Sequence, residues 1–324
     1  MELLMGRRSA RFGAVFAVSS LLLFFHVGSS FGQDVGALAS SGLPFIVLHG
    51  IGDACRNEGL SMFTQLLMDM TGLPGYCIEI GNGVSDSFFM RLDKQADIVC
   101  EQVKSIKSLQ DGYNMVGLSQ GNVIGRAVIE FCDDAPPVNN FVSLGGPHAG
   151  IAAVPLCKIL VLCKLVDAVI RIGVYSSYVQ NNFAPTGYVK IPTDMEGYYQ
   201  GCLFLPRLNN ELPEIRNHTY KNRFSSLNYL ALIKFEQDAV LYPADTAWFG
   251  FYAPNDFSKV LPAEETDLYK EDWIGLKTLD RAGKVAYLAL PGGHLSITEA
   301  DMLEMVVPYL LPDFQPFTPF STYR

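Results

Sequence analysis

The chain has no C-x-x-C pair and no two histidines at ligand spacing, which argues against a zinc-dependent hydrolase. It is poor in basic charge. With 24 Lys and Arg against 33 Asp and Glu it carries a net charge of −9, and a nucleic-acid binder needs a clustered positive face. It also lacks internal repeats, charge blocks and low-complexity linkers. Beyond the first 32 residues no run is long and apolar enough to cross a bilayer. Seven cysteines, an odd number, imply some disulfides and at least one leftover thiol. None of them sits on a sharp turn near a histidine-bearing loop, so a thiol nucleophile has no context.

The first 32 residues read as a cleaved signal peptide. Arg7, Arg8 and Arg11 form a positive start, Phe12 to Val27 is largely apolar, and Ser30-Phe31-Gly32 offers small residues for cleavage. Ser19, Ser20 and His26 interrupt the apolar stretch, which falls short of the ~20 residues that a membrane span prefers. A soluble luminal protein is therefore expected. Removing the leader lowers the basic count from 24 to 21 and the acidic count from 33 to 32, taking the net charge from −9 to −11. An acidic surface suits an acidic organelle. Asn217-His218-Thr219 is a glycosylation acceptor whose use the leader makes plausible. No C-terminal retention signal is seen, so the secretory pathway is expected, with lysosome or vacuole first and the extracellular space open.

The richest stretch is Val116-Gly117-Leu118-Ser119-Gln120-Gly121-Asn122. It is a G-x-S-x-G elbow between a short apolar run and a helical pattern in which Val123, Ile124, Ala127, Val128 and Phe131 recur. A serine on such a turn is lifted out of the sheet, so Ser119 reads as a nucleophile. Phe45 to Leu48 is another apolar run, ending in His49-Gly50-Ile51-Gly52-Asp53. Its glycines leave room for a backbone N–H to face a developing oxyanion, a role assigned to Ile51 with the Gln120 amide as partner. His49 precedes the serine, against the Ser, Asp, His order of this fold, and reads as loop-shaping. Lys284 to Leu290 reads as a last strand, broken by Pro291-Gly292-Gly293 before His294. A histidine there can swing over the serine as a base, whereas His148 and His218 follow no final strand. For the acid, Asp238 follows the strand pattern ending at Phe235, with Asp245 and Glu236 as rivals that spacing only weakly disfavours.

Several segments together resemble the palmitoyl-protein thioesterases of the lysosomal type, over roughly residues 43 to 310. They are Val47 to Asp53, Ile78-Glu79-Ile80-Gly81, the elbow, Gly145-Gly146-Pro147-His148-Ala149-Gly150, Asp245 to Tyr252 with its Trp248-Phe249-Gly250-Phe251-Tyr252 core, and Gly293-His294-Leu295. The resemblance implies Ser119 as nucleophile, Asp238 as acid and His294 as base, and puts Asp245 outside the triad. It also implies disulfides between Cys100 and Cys132 and between Cys157 and Cys163. At Ala54-Cys55 the family carries two adjacent cysteines, so Cys55 lacks that neighbour and, like Cys77 and Cys202, is assigned no partner.

The expected architecture is an α/β-hydrolase fold over residues 33–324, a mostly parallel sheet covered by helices on both faces. Strands are expected at Phe45 to Leu48, Tyr76 to Ile80, Asn114 to Leu118, Phe141 to Leu144, Ala231 to Phe235 and Lys284 to Leu290. One helical stripe runs through Leu92, Ala96, Val99, Val103 and Ile106. A lid-like insertion is expected at about 150–230, its Ile151 to Ile172 stretch rich in Val, Leu and Ile, and either roofing an acyl trough or merely packing on the sheet. The expected activity is hydrolysis of long-chain acyl thioesters on S-palmitoylated proteins or peptides through an acyl-serine, with no cofactor or metal. A lipase acting on oxyesters and an inactive lipid-binding protein are the alternatives.

Overall fold

In a computed structural model, residues 42–152 and 173–312 are described. Among them six strands, β1 (Phe45–Leu48), β2 (Gly75–Ile78), β3 (Tyr113–Leu118), β4 (Val138–Leu144), β5 (Tyr229–Phe235) and β8 (Val285–Leu290), form one sheet ordered β2-β1-β3-β4-β5-β8. Every pairing in it is parallel. β6 (Phe251–Ala253) and β7 (Asp256–Leu261) make a separate antiparallel hairpin. The six expected strands all exist, with ends shifted by up to three residues. The hairpin was not expected: its first strand is only three residues of the aromatic block, too short for an alternating pattern.

Alternation of side chains divides the core in two. Phe45 and Val47 of β1, with Val116, Val142 and Ile233, face α1 (Glu58–Thr71). That helix buries Leu60, Phe63, Thr64 and Leu67 at helical spacing and stops at Gly72, whose φ of 68° closes it with a hydrogen bond to Met68 O. Ile46 and Leu48, with Met115, Phe141 and Leu232, face α3 (Leu92–Ser105) and α4 (Gln120–Phe131). α2 (Val84–Phe89) precedes α3. The stripe of α3 is buried at Leu92, Ala96, Val99 and Val103, and Ile106 falls just outside as the C-cap. Cys100 of α3 is joined to Cys132 at the end of α4, and Cys55 is joined to Cys77 of β2, a pairing the sequence left unassigned. Cys157 and Cys163 lie outside the described residues, as does most of the Ile151 to Ile172 stretch.

α4 is buried from Gln120 to Glu130 on every side, so a further layer must cover it. That layer is the described part of the chain between β4 and β5, with helices α5 (Ser177–Asn182), α6 (Met195–Gly201), α7 (Leu205–Leu208) and α8 (His218–Ser225). Two fully buried charges fasten it. Arg126 donates to Glu130 Oε1 at 2.9 Å, to Asn209 Oδ1 at 2.9 Å and to the Leu208 carbonyl at 3.2 Å. Its guanidinium lies 5.2 Å from the Phe224 ring and 5.0 Å from the Phe249 ring. A charge without such partners would not be tolerated here.

Burial pushes the Glu130 carboxyl from 4.5 up to about 7, Arg126 opposing the shift. The folded chain thus binds this proton more tightly than the unfolded chain does. The corresponding stability is complete below about pH 4.5 and is lost as pH rises through about 7. In urea unfolding, the wild type should lose on the order of 1 to 3 kcal/mol between pH 5 and pH 7.5 relative to Glu130→Gln. Equal pH dependence of the two proteins would contradict this. Replacing Cys100 and Cys132 together by alanine should cost about 4 kcal/mol in the same assay, from the 32-residue separation that the bridge closes.

Candidate active site

Ser119 follows β3 with φ 53° and ψ −122°, a conformation that residues other than glycine rarely adopt. The surrounding chain holds it there. Its amide donates to Leu144 O at 2.9 Å, and Asn122 Nδ2 donates to Ser119 O at 3.0 Å and to Leu144 O at 2.9 Å. The two glycines of the pattern have distinct tasks. A Cβ on Gly121 would run into the carbonyl oxygens of Leu48 and His49, and one on Gly117 would run into the Asn122 side chain. The turn therefore exists because the end of β1 can press against the first turn of α4.

His294 stands after β8 on a turn where Gly292 has φ 103° and Leu295 φ 59°. Its Nε2 lies 2.9 Å from Ser119 Oγ, and its Nδ1 lies 2.6 Å from Asp238 Oδ2. With Nδ1–H donating to the carboxylate, Nε2 is left to accept the serine proton. The Asp238 side chain is 1% exposed, and its other oxygen accepts hydrogen bonds from the Val240 and Leu241 amides at 2.8 and 2.9 Å. Both carboxylate oxygens are thereby fixed in direction. Gly145, at φ 57° after β4, makes room for the imidazole: a Cβ there would sit 3.0 Å from His294 Cε1. Phe235 meets the ring edge-on at a centroid distance of 6.5 Å.

The rival residues lie elsewhere. Asp245 accepts a 2.8 Å hydrogen bond from Lys234, whose ammonium sits over Trp248, and Glu236 is exposed. His148 is buried, stacked on Phe249 at 4.6 Å and 2.8 Å from Ser143 Oγ. Burial, aided by Arg126, holds its pKa well below 6.5, so it stays neutral. His218 is exposed at the start of α8.

The loop after β1 lies against the serine, since a Cβ on Gly50 would be 3.0 Å from Ser119 Cβ. Ile51 follows in that loop, and Gln120 opens α4, whose first amides have no partners within the helix. The loop is tied down through Gly52, whose amide donates to Ser87 Oγ at 2.8 Å. The Gln120 side chain donates to Ser87 O at 2.8 Å and receives the Tyr188 hydroxyl at 3.1 Å. Beside this point Phe88 abuts Gly52, and Phe88, Phe89 and Phe183 follow one another at centroid distances of 6.0 and 5.9 Å. The tasks of Asn122 and Ser87 were not read from the sequence, and a single Asn or Ser carries no pattern that would reveal them.

The family model described as palmitoyl protein thioesterase matches residues 44–294. The chain is 35% identical to Palmitoyl-protein thioesterase 1 of Caenorhabditis elegans, over 83% of this chain and 92% of that one. It is 31% identical to Palmitoyl-protein thioesterase 3 of Dictyostelium discoideum, over 80% and 87% of the two chains. It is also 28% identical to the Lysosomal thioesterase PPT2 homolog of Drosophila melanogaster, over 82% and 91%. With the elbow, the late histidine and the parallel sheet already in place, the match extends over most of the fold, and the chain belongs to the palmitoyl protein thioesterase family.

Proposed function

We propose that this chain is a serine thioesterase that removes long-chain acyl groups from cysteine, with Ser119, His294 and Asp238 as its catalytic triad. The observation that carries the reading is the unbroken line of hydrogen-bonding contacts from Ser119 Oγ through His294 to Asp238, at 2.9 and 2.6 Å. His294 Nε2 takes the hydroxyl proton as Ser119 Oγ attacks the thioester carbonyl carbon. Asp238 keeps the imidazole in the required tautomer and stabilises the imidazolium. Negative charge then gathers on the carbonyl oxygen, between the amides of Ile51 and Gln120 and beside the positive end of α4.

Collapse of this intermediate breaks the C–S bond, releases the cysteine thiol and leaves an acyl-serine. The proton held on His294 Nε2 passes to the departing sulfur, which returns the imidazole to its neutral form; because a thiolate is a good leaving group, this transfer need not be far advanced when the C–S bond breaks. Water, activated by His294, hydrolyses the acyl-serine and restores the hydroxyl. No metal or cofactor enters the scheme.

The substrate side rests on family membership and on the apolar wall of Phe88, Phe89 and Phe183 beside the loop after β1. We place S-palmitoylated proteins or peptides first among the substrates. The segment between β4 and β5 is assigned as the lid-like insertion of a single domain. Two disulfides and the lysosomal name of a relative support the secretory pathway, with the lysosome or vacuole as destination. Asn217, which caps α8 by accepting from the Thr219 amide at 2.8 Å, is the proposed glycan acceptor.

Purified Ser119→Ala should lose palmitoyl-cysteine hydrolysis by about 10⁴-fold or more while its thermal unfolding is unchanged, and Asp238→Asn should fall by about 10⁴-fold. Asp245→Asn should keep its turnover and lose at most ~1 kcal/mol of stability, as for other half-exposed ion pairs. The reverse ranking of the two aspartates would reassign the acid. Across a series of acyl-cysteine peptides, kcat/KM should rise about fourfold per methylene buried, and palmitoyl thioester should be turned over faster than a matched palmitoyl oxyester. Equal preference for the oxyester would return the chain to general lipase chemistry.

A further inference from the structure

His49 stands two residues before Ile51, fully buried, and is caught between its own chain and Glu79. Its Nδ1 lies 2.9 Å from the Gly50 carbonyl oxygen, so Nδ1–H is the donor there. Its Nε2 lies 3.0 Å from Glu79 Oε1 and 3.3 Å from the Ile80 amide. Glu79 Oε1 is buried and receives no other hydrogen bond, and Glu79 Oε2 accepts the Cys55 amide at 3.0 Å. One carboxyl group therefore grips the loop after β1 at residues 49 and 55, on either side of Ile51. The Glu79 main chain is itself anchored by Gln102 of α3, which donates to its carbonyl at 2.7 Å.

The proton inventory of this contact decides its behaviour. With Nδ1–H used on Gly50, an unprotonated Nε2 and an ionised Oε1 would be two acceptors facing each other at 3.0 Å. Attraction requires one proton between them, and a proton placed on Nε2 displaces the donation that this atom receives from the Ile80 amide. The neighbouring ionisable groups have other partners. Asp53, on the loop itself, accepts from the Ala54 amide and the Asn57 side chain, and Asp86 of α2 accepts from Asn82. α3 presents the neutral Gln102 amide.

We propose that Glu79 and His49 form a clamp that positions the Ile51 amide for the reaction, making Glu79 a positioning residue. The inference rests on the reading of Ile51 as an oxyanion donor. When the carboxyl group is removed the loop loses its hold at residues 49 and 55, while the Cys55–Cys77 bridge keeps the surrounding fold intact. The effect should therefore fall on kcat rather than on KM or on folding.

The test compares wild type, Glu79→Ala and Glu79→Gln for kcat and KM on a palmitoyl-cysteine peptide, with thermal unfolding of each. Glu79→Ala should lose about tenfold to hundredfold in kcat, the usual consequence of a small misplacement of a catalytic donor, with KM within twofold. Glu79→Gln supplies a fixed N–H toward Nε2 and still accepts the Cys55 amide. It should restore most of the wild-type kcat. Should Glu79→Ala fail to fold, Glu79→Asp, which shortens the reach to Nε2, takes its place with the same expected loss. A kcat of the shortened variant within twofold of wild type, or a Glu79→Gln kcat no higher than that variant's, would overturn the clamp. Ser119→Ala, assayed alongside, separates this failure from that of the site itself: turnover surviving Ser119→Ala removes the triad, whereas Ser119-dependent turnover indifferent to Glu79 removes only the clamp.

Discussion

Close approach of the ends of β1, β3 and β4 at Ser119 is the constraint on which the rest of the molecule depends. The serine backbone is held at φ 53° because its amide and carbonyl are both engaged, directly or through Asn122, with the end of β4. The first turn of α4 is pressed against the carbonyls of Leu48 and His49, which no residue larger than glycine at 121 would permit. A side chain at either glycine would relax the turn and withdraw the hydroxyl from His294. Backbone strain of this kind persists only where the surrounding packing over-determines it, and here three strand ends and a helix do so together.

That packing extends outward along α4. A helix buried on every side carries Arg126 and Glu130 within it; Glu130 holds Arg126, and Arg126 reaches the Leu208–Asn209 turn and the Phe224 and Phe249 rings of separate segments. The same layer contains Glu211, which receives Lys190 at 2.9 Å and the Tyr198 hydroxyl at 3.0 Å. Removal of one partner would leave a buried charge uncompensated, so the network ties the segment between β4 and β5 to the helix that presents the serine. The aromatic block and the Gly-Gly-Pro-His segment of the sequence find their physical purpose here: Phe249 stacks on His148 and lies 5.0 Å from the Arg126 guanidinium, and Gly145 clears space for His294.

Much of this was legible in the sequence because it rests on local rules. Buried parallel strands appear as short apolar runs, the elbow as two glycines about a serine, and the stripe of α3 as a helical period. What escaped depends on contacts between distant residues. The Cys55–Cys77 bridge could not be deduced, since spacing does not determine connectivity. The first strand of the β6–β7 hairpin was hidden at the end of an aromatic cluster that follows no alternation. His49 was read as loop-shaping from its place before the serine, but its partner Glu79 lies thirty residues on, in a segment quoted only for its resemblance, and nothing local marks the pair. Of the rival acids, the sequence alone separated Asp238 from Asp245 weakly. In the structure they differ completely, one turned to an imidazole and the other to a lysine.

The central claim is that Ser119 becomes covalently acylated. Its most direct measurement is mass spectrometry of the protein rapidly acid-quenched during turnover of a palmitoyl-cysteine peptide, followed by proteolytic mapping. The account predicts one palmitoyl group, transient with time, on the peptide that contains Ser119. A palmitoyl adduct confined to another residue, or turnover with no adduct at any time under conditions that trap an acyl-serine in a known serine hydrolase, would contradict it.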